Sequence, residues 1–389
     1  MIKKCKKLIA LFTLLLCTCG VTSCNLDIGT EDNITTIVTT LYPNYEFINA
    51  ILEGQKEIGQ SIEVILIVPY GTDSHNYDPS ISDYLTIKNA DLFIYTSDEM
   101  EPWVSTLNLK EEKVLNIYEG MLEKYEDFKE LQTIENEDIY DHEHKHEDEH
   151  NHDHDHDHEH DSYEQSDNFL DKILVTITNF LSLIFPHEHN HSYDPHFWTD
   201  MKYAEYMVEV IYDKLVEVIP DPYATKKIEM RKNADAYISN LRCLDRQFKS
   251  VVSLAQDKTI FFGSPFAFYY FTERYGLDYV LTYSTCSTEI DPSILVVLEV
   301  VKEMEHHNAT VIFSKELTAD DAAVKIAEYT GAEVLEFHSG HNIGAKDAGN
   351  VTFISIMQNN VTNLAKALKV PEYLIEDYKQ TNGGVGNAD

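Results

Sequence analysis

Two hydrophobic periodicities alternate along this chain. Short runs rich in β-branched and aromatic residues predict strands. Longer segments with apolar positions three and four apart predict helices. In the first half, strands are expected at 34–42, 61–68 (SIEVILIV), 91–96 (DLFIYT) and 114–118, with helices at 45–53, 81–90 and 102–109. The nearly unbroken apolar run at 61–68 suits a strand covered on both faces, as in a parallel sheet. The pattern breaks near residue 125 and resumes near Asp194. Helical periodicity then covers 200–218 and about 222–252, with Asp221-Pro222 marking the boundary because proline suits a first helical turn. The second of these stretches contains no internal Gly or Pro. At 1.5 Å per residue it would reach about 45 Å, the length of a whole lobe. A second alternation follows, with strands at 258–263, 278–283, 310–314 and 333–337 and helices at 265–275, 292–307, 319–330 and 351–368.

This pattern implies an α/β protein of two similar lobes. Each would hold a parallel sheet flanked by helices, the two joined by one long bridging helix, with ligand bound in the cleft between them. The expected organisation is a leader at 1–23, a flexible tether at 24–33, an N-terminal lobe at 34–220, a bridging helix at 221–256, a C-terminal lobe at 257–380 and a disordered tail at 381–389. The N-terminal lobe would carry a disordered insertion at about 135–192.

The leader has a basic start, Lys3, Lys4, Lys6 and Lys7, and an apolar run at 8–16. That run is too short to span a bilayer and suits an export signal. Val21-Thr22-Ser23-Cys24 follows and resembles a bacterial lipobox, so Cys24 is the expected lipidation site, anchoring an extracytoplasmic protein to the cell membrane. No later stretch reads as membrane-spanning, since 169–185 is interrupted by Asp171, Lys172, Thr176, Thr178 and Asn179. Of six cysteines only Cys243 and Cys286 lie beyond the lipobox, which is no disulfide framework. The formal net charge of −37 argues against nucleic acid as a partner and favours cations near the surface.

Candidate chemistry lies in histidines. His75 stands in GTDSHNYDP just after a predicted strand, His196 in DPHFW where order resumes, and His338 and His341 in HSGH directly after the last predicted strand. Neutral imidazole is a usual zinc donor, and zinc takes three or four N, S or O donors. Asp194 could orient a ligand from behind. Between 141 and 161, His142, His144, His146, His150, His152, His154, His156, His158 and His160 alternate largely with acids. Almost nothing there is apolar, so the segment cannot build a core. It reads as a weak, multivalent metal collector. A Gly-rich phosphate loop, a placeable Ser-His-Asp set and an HExxH helix are all absent from the sequence.

The chain resembles the cluster A-I substrate-binding lipoproteins of ABC importers for zinc and manganese. The text that carries the resemblance is GTDSHNYDPSISDYLTIKNADLFIYTSDEMEPW, DPHFW, FYYFTERYGL and AVKIAEYTGAEVLEF, within residues 34–370. The resemblance implies two lobes around a bridging helix, metal ligation by His75 and His196, an importer permease as partner, and a zinc-type member with a His-rich loop. It departs at two places. The family's third ligand position falls on Pro265, which cannot ligate through its side chain, and the fourth falls on His338. The expectation is therefore that His338 is the third ligand, with His341 or a water as fourth. A subgroup of the family carries a similar His-Ser-x-His text. Glu289 and Cys286 are more remote candidates. A His-dominated set suits Zn²⁺ better than Mn²⁺. The implied function is capture of Zn²⁺ outside the cell for an ABC importer, without catalysis. The competing readings are a metal-sequestering or adhesin-type lipoprotein without a transporter, and a zinc-dependent hydrolase with Glu289 as its base.

Overall fold

The computed structural model describes residues 34–54, 62–128, 193–219, 225–283, 292–318 and 321–375. Within them are two four-stranded parallel sheets. The first contains β1 (Thr35–Thr39), β2 (Ile62–Leu66), β3 (Leu92–Tyr95) and β4 (Val114–Asn116) in the order β2-β1-β3-β4. Its helices are α1 (Tyr42–Ile51), α2 (Ile81–Asn89) and α3 (Ile117–Lys124), and α4 (Met201–Val218) and α5 (Thr225–Leu254) follow. The second sheet contains β5 (Thr259–Phe262), β6 (Asp278–Leu281), β7 (Val311–Ser314) and β8 (Glu333–Glu336) in the matching order β6-β5-β7-β8. It carries α6 (Tyr269–Tyr275), α7 (Ile294–His306), α8 (Asp321–Thr330) and α9 (Phe353–Ala367).

The period of two explains the layers. In β1, Ile37 joins the large central core while its neighbour Val38 joins a smaller outer cluster with Ile87 and Phe93. β3 repeats the split with Ile94 inward and Phe93 outward. In the second sheet Phe262 and Phe313 point inward, paired in register, while Phe261 and Ile312 pack outward with Val297, Val300 and Ile326. Each sheet is thus apolar on both faces, as parallel sheets require.

α5 holds the two halves together. Its buried stripe, Met230, Ala234, Ile238, Leu241, Leu244, Phe248, Val251 and Val252, runs at steps of three and four. Along its 30 residues it packs on α1 and α4 and also on α6 and α9. The central core is consequently one cluster reaching from Ile37 in the first sheet to Phe313 in the second. No described helix is long and apolar enough to cross a membrane.

Several elements differ from the sequence expectation. α1 begins at Tyr42 rather than 45, because Pro43 occupies a first-turn position that needs no N–H. The expected helix at 102–109 is a short 3-10 turn, Pro102–Thr106. The fourth strand ends at Asn116, whose side chain caps α3 by accepting from Glu119 N, a helix the periodicity did not show. α6 starts only at Tyr269, and Pro265 lies in irregular backbone before it. The leader, Cys24, the His-rich insertion, Cys286, Glu289 and the tail at 381–389 all lie outside the described residues.

Candidate metal site

The carboxyl ends of parallel strands point their loops into the cleft, and His75 and His341 stand on such loops. His75 lies in a 3-10 turn, Ser74–Asn76, after β2, where the Asp73 carboxylate accepts from His75 N at 3.0 Å. His196 immediately precedes another 3-10 turn, Phe197–Thr199, that leads into α4. His341 lies in the loop between β8 and α9. One ring nitrogen from each of these three lies within 4.8 Å of one from both others. Nε2 of His75 and Nε2 of His196 are 3.2 Å apart. Two imidazoles bound to one tetrahedral zinc at 2.0–2.1 Å would place their nitrogens about 3.3 Å apart.

The far nitrogens fix the tautomers. Asp194 lies 2.6 Å from His196 Nδ1 and also accepts from His196 N at 2.8 Å. A carboxylate can only accept, so Nδ1 carries the proton and Nε2 presents a lone pair to the cluster. At His341 the Ser339 hydroxyl stands between ring and acid. It donates to Glu316 and lies 2.7 Å from His341 Nδ1, whose N–H it therefore accepts. The Nε2 of His341 is left buried with no hydrogen-bond partner. An orphaned, buried imidazole lone pair is costly unless something fills the site.

Burial and charge act on these groups in stated directions. Burial, aided by the nearby His196, pushes the His341 imidazole down to about 4, so it is neutral at physiological pH. Burial works to raise the Glu316 carboxyl. The electrostatic influence of nearby His338, the contact with His341 and the charge of Lys315 outweigh it and hold the group well below the usual carboxylate range. Asp194 behaves alike: burial opposes its charge, and the neighbouring His196 lowers it. Two carboxylates, Asp194 and Glu316, thus stand directly behind the histidine cluster, where they would offset part of the charge of a divalent cation. Fully buried Trp198 packs edge-on against His341 and His196 and donates Nε1–H to the Ser339 carbonyl at 2.8 Å. A small cleft lined by Thr72, Asp73, Lys315, Glu316, Leu317 and His341 adjoins the cluster.

The loops from the two halves are tied to each other. Asn342 Nδ2 donates to the carbonyls of Pro69 and Thr72, at 2.7 and 2.9 Å. Gly71 N donates to the Ile343 carbonyl, and Tyr42 N to the His341 carbonyl.

His338, expected as the third ligand, stands apart from these three rings. The structure does not bring it into the three-histidine group. Asn360 of α9 holds its backbone on both sides, accepting from His338 N at 2.9 Å and donating to its carbonyl at 2.8 Å. Its Nδ1 accepts from Gly340 N at 2.9 Å and lies 3.7 Å from Glu316. The ring is spent on closing the turn that delivers His341, and it supports Glu316 from behind. Pro265 is buried and offers no side-chain donor. Glu316 was missed by sequence reasoning. The signal available was its position two residues past the end of β7, where cleft residues fall.

A family model described as zinc-uptake complex component A, periplasmic (ZnuA), matches residues 37–367. The high-affinity zinc uptake system protein ZnuA of Bacillus subtilis is 28% identical over 374 residues, covering 93% of this chain and 96% of its own. The zinc-binding lipoprotein AdcA of Streptococcus pneumoniae is 28% identical over 338 residues, covering 86% of this chain and 55% of its own. The chain thus spans about half the length of the AdcA relatives it matches. Among solved structures, the Zn(II)-bound ZnuA-like domain of Streptococcus pneumoniae AdcA superposes with a TM-score of 0.58 at 22% identity, covering 86% of this chain and 99% of that one. That likeness establishes the two-lobed α/β fold. Because the family match runs over most of the sequence, the chain belongs to the family of the periplasmic zinc-uptake complex component A, ZnuA.

Proposed function

We propose that this chain captures Zn²⁺ outside the cytoplasm and delivers it to the permease of an ABC importer. The observation that carries this reading is the convergence of His75, His196 and His341, with His341 Nε2 buried and unpaired. Three neutral nitrogen donors suit zinc better than the harder Mn²⁺. The names of the relatives, zinc-binding lipoprotein and high-affinity zinc uptake protein, support the same cargo. In this reading His75, His196 and His341 ligate the ion, and its fourth position faces the cleft beside Glu316. Cys24 carries the lipid that keeps the protein at the membrane. The histidines between 142 and 160 form a weak collecting segment that raises the local supply.

The test is a zinc titration of the purified chain against a competing chelator. One tight site and several weaker ones are expected. Deleting 141–161 should remove most of the weak sites and spare the tight one. Absorption-edge anomalous scattering from zinc-loaded crystals should place the tight ion among residues 75, 196 and 341. An ion found elsewhere overturns the assignment.

A further inference from the structure

Among the described residues thirteen large apolar side chains are exposed, and five of them belong to two helices, α2 and α7. These helices are counterparts. α2 connects β2 to β3, and α7 connects β6 to β7, in sheets of identical strand order. The sequence repeats at the same place: Pro79-Ser80-Ile81 begins one and Pro292-Ser293-Ile294 the other, each followed by leucine four positions on, Leu85 and Leu298. Both serines cap their helix, Ser80 Oγ accepting from Asp83 N at 3.2 Å and Ser293 Oγ from Val296 N at 3.4 Å. The inward positions correspond too, since Ile87 and Val300 are both buried. The outward ones match in turn: Ile81 is 81% exposed and Ile294 64%, while Leu85 and Leu298 are each 50% exposed.

A single exposed isoleucine needs no explanation. A pair of isoleucine–leucine tips, repeated on both lobes with the same cap and the same inward residue, is not scattered exposure. Both tips belong to the helices that follow the carboxyl ends of β2 and β6, the sheet ends from which the loop bearing His75 also leaves. We infer that these tips are the two contacts through which the protein docks on its importer's permease, a membrane partner with two equivalent apolar sockets rimmed by basic side chains. A partner of two like subunits presents such sockets about its own two-fold axis. The basic rim follows from charge: exposed Asp78 lies just ahead of the first tip, exposed Glu299 just after the second, and the chain's net charge is −37.

This inference rests on the import reading, and the experiment separates the two. Cells lacking the chain are complemented with the full protein, with Ile81→Asp plus Leu85→Asp, with Ile294→Asp plus Leu298→Asp, or with all four changes. Initial zinc uptake is measured at limiting zinc, and zinc binding and oligomeric state are measured on each purified protein. Either pair should reduce uptake by about 10-fold or more, as loss of anchoring apolar contacts does, with zinc binding unchanged and the protein monomeric. Uptake at the wild-type rate in the fourfold variant overturns the docking while leaving import intact. A deletion strain that takes up zinc normally overturns import and docking together. Variants that alter only self-association show the tips to be contacts between copies and also overturn it. A photoreactive residue at position 81 or 294, which adds no charge, should crosslink each lobe to the permease, identified by mass spectrometry. Failure of either position to reach it counts against a two-point contact.

Discussion

His75 and His196 are 121 positions apart in the chain, yet their Nε2 atoms stand 3.2 Å from each other. Two neutral imidazoles hold that spacing by sharing a proton or by sharing a metal ion, and Asp194 has already claimed the Nδ1 proton of His196. A zinc ion held between them would leave neither Nε2 a proton, and the separation is close to the edge length of a tetrahedral coordination shell.

Replacing His75, His196 or His341 by Ala should each weaken zinc by about 10-fold or much more, because removing a donor costs at least what disturbing its support costs. His338→Ala should behave differently. It removes a turn-closing acceptor for Gly340 N, so stability should fall by about 1 kcal/mol while zinc affinity changes far less. Chelator competition for affinity and denaturant titration for stability distinguish the two classes. A His338 variant as defective in zinc binding as the other three would return His338 to the ligand set.

Asp194→Asn and Glu316→Gln each retain shape and remove a charge. Asn no longer enforces the Nδ1–H tautomer of His196, and Gln weakens the hold on Ser339 through which His341 is oriented. Each should reduce zinc affinity about 10- to 100-fold, and because both acids act through touching histidines of one site, the double variant should depart from the simple sum of the two free energies. Affinities measured across this double-mutant cycle check both the size and the coupling.

How far the site was legible follows from these residues. His75 and His196 were readable because each stands in a distinctive local text at a strand end or at the re-entry to order. The loop holding His338 and His341 was readable as well. Which of the two faces the cleft was not, because that choice depends on Asn360, 22 positions further on, and on the turn at Gly340. Glu316 looks in sequence like one more acid among 67. Only the packing of β7 beside β8 puts it under Ser339. The strands came through because their apolar runs follow from burial on both faces. The helix at 117–124 did not, being short and begun by a side-chain cap rather than by periodicity.

Two buried groups should give stability opposite pH slopes. Burial pushes the Glu101 carboxyl up to about 7, although Thr40, Ser97 N and Thr96 N all donate to it. Its folded value lies above its unfolded one, so its contribution is complete below the ordinary carboxylate range and is lost as pH rises through 7. His341 is depressed to about 4 from about 6.5. The unfolded chain takes up that proton first, so zinc-free stability should fall as pH drops from about 6.5 to 4. Denaturation of the zinc-free protein across pH 4 to 8 measures both. The two windows overlap between about 4.5 and 6.5, so Glu101→Gln should remove the loss of stability as pH rises and His341→Ala the gain. A variant that leaves its slope unchanged shows that the assigned group does not titrate there.

Gly340 turns the chain between His338 and His341 with φ of +82°, and a Cβ at this position would lie 2.9 Å from the Phe353 ring. Phe353 is fully buried at the first turn of α9, inside the core that unites the two halves, and cannot easily retreat. Gly340→Ala therefore faces both a left-handed backbone and a clash, and should cost about 1–3 kcal/mol. Because His341 is the next residue, the shift that relieves the clash should also weaken zinc. Gly276, at φ of +64°, has open space around its Cβ position and lies at the end of α6. Gly276→Ala should carry only the backbone penalty of about 1 kcal/mol and leave zinc affinity unchanged. Equal zinc affinities in the two variants would show that the turn at Gly340 does not aim His341, and that the ring is placed by Ser339 and Trp198 alone.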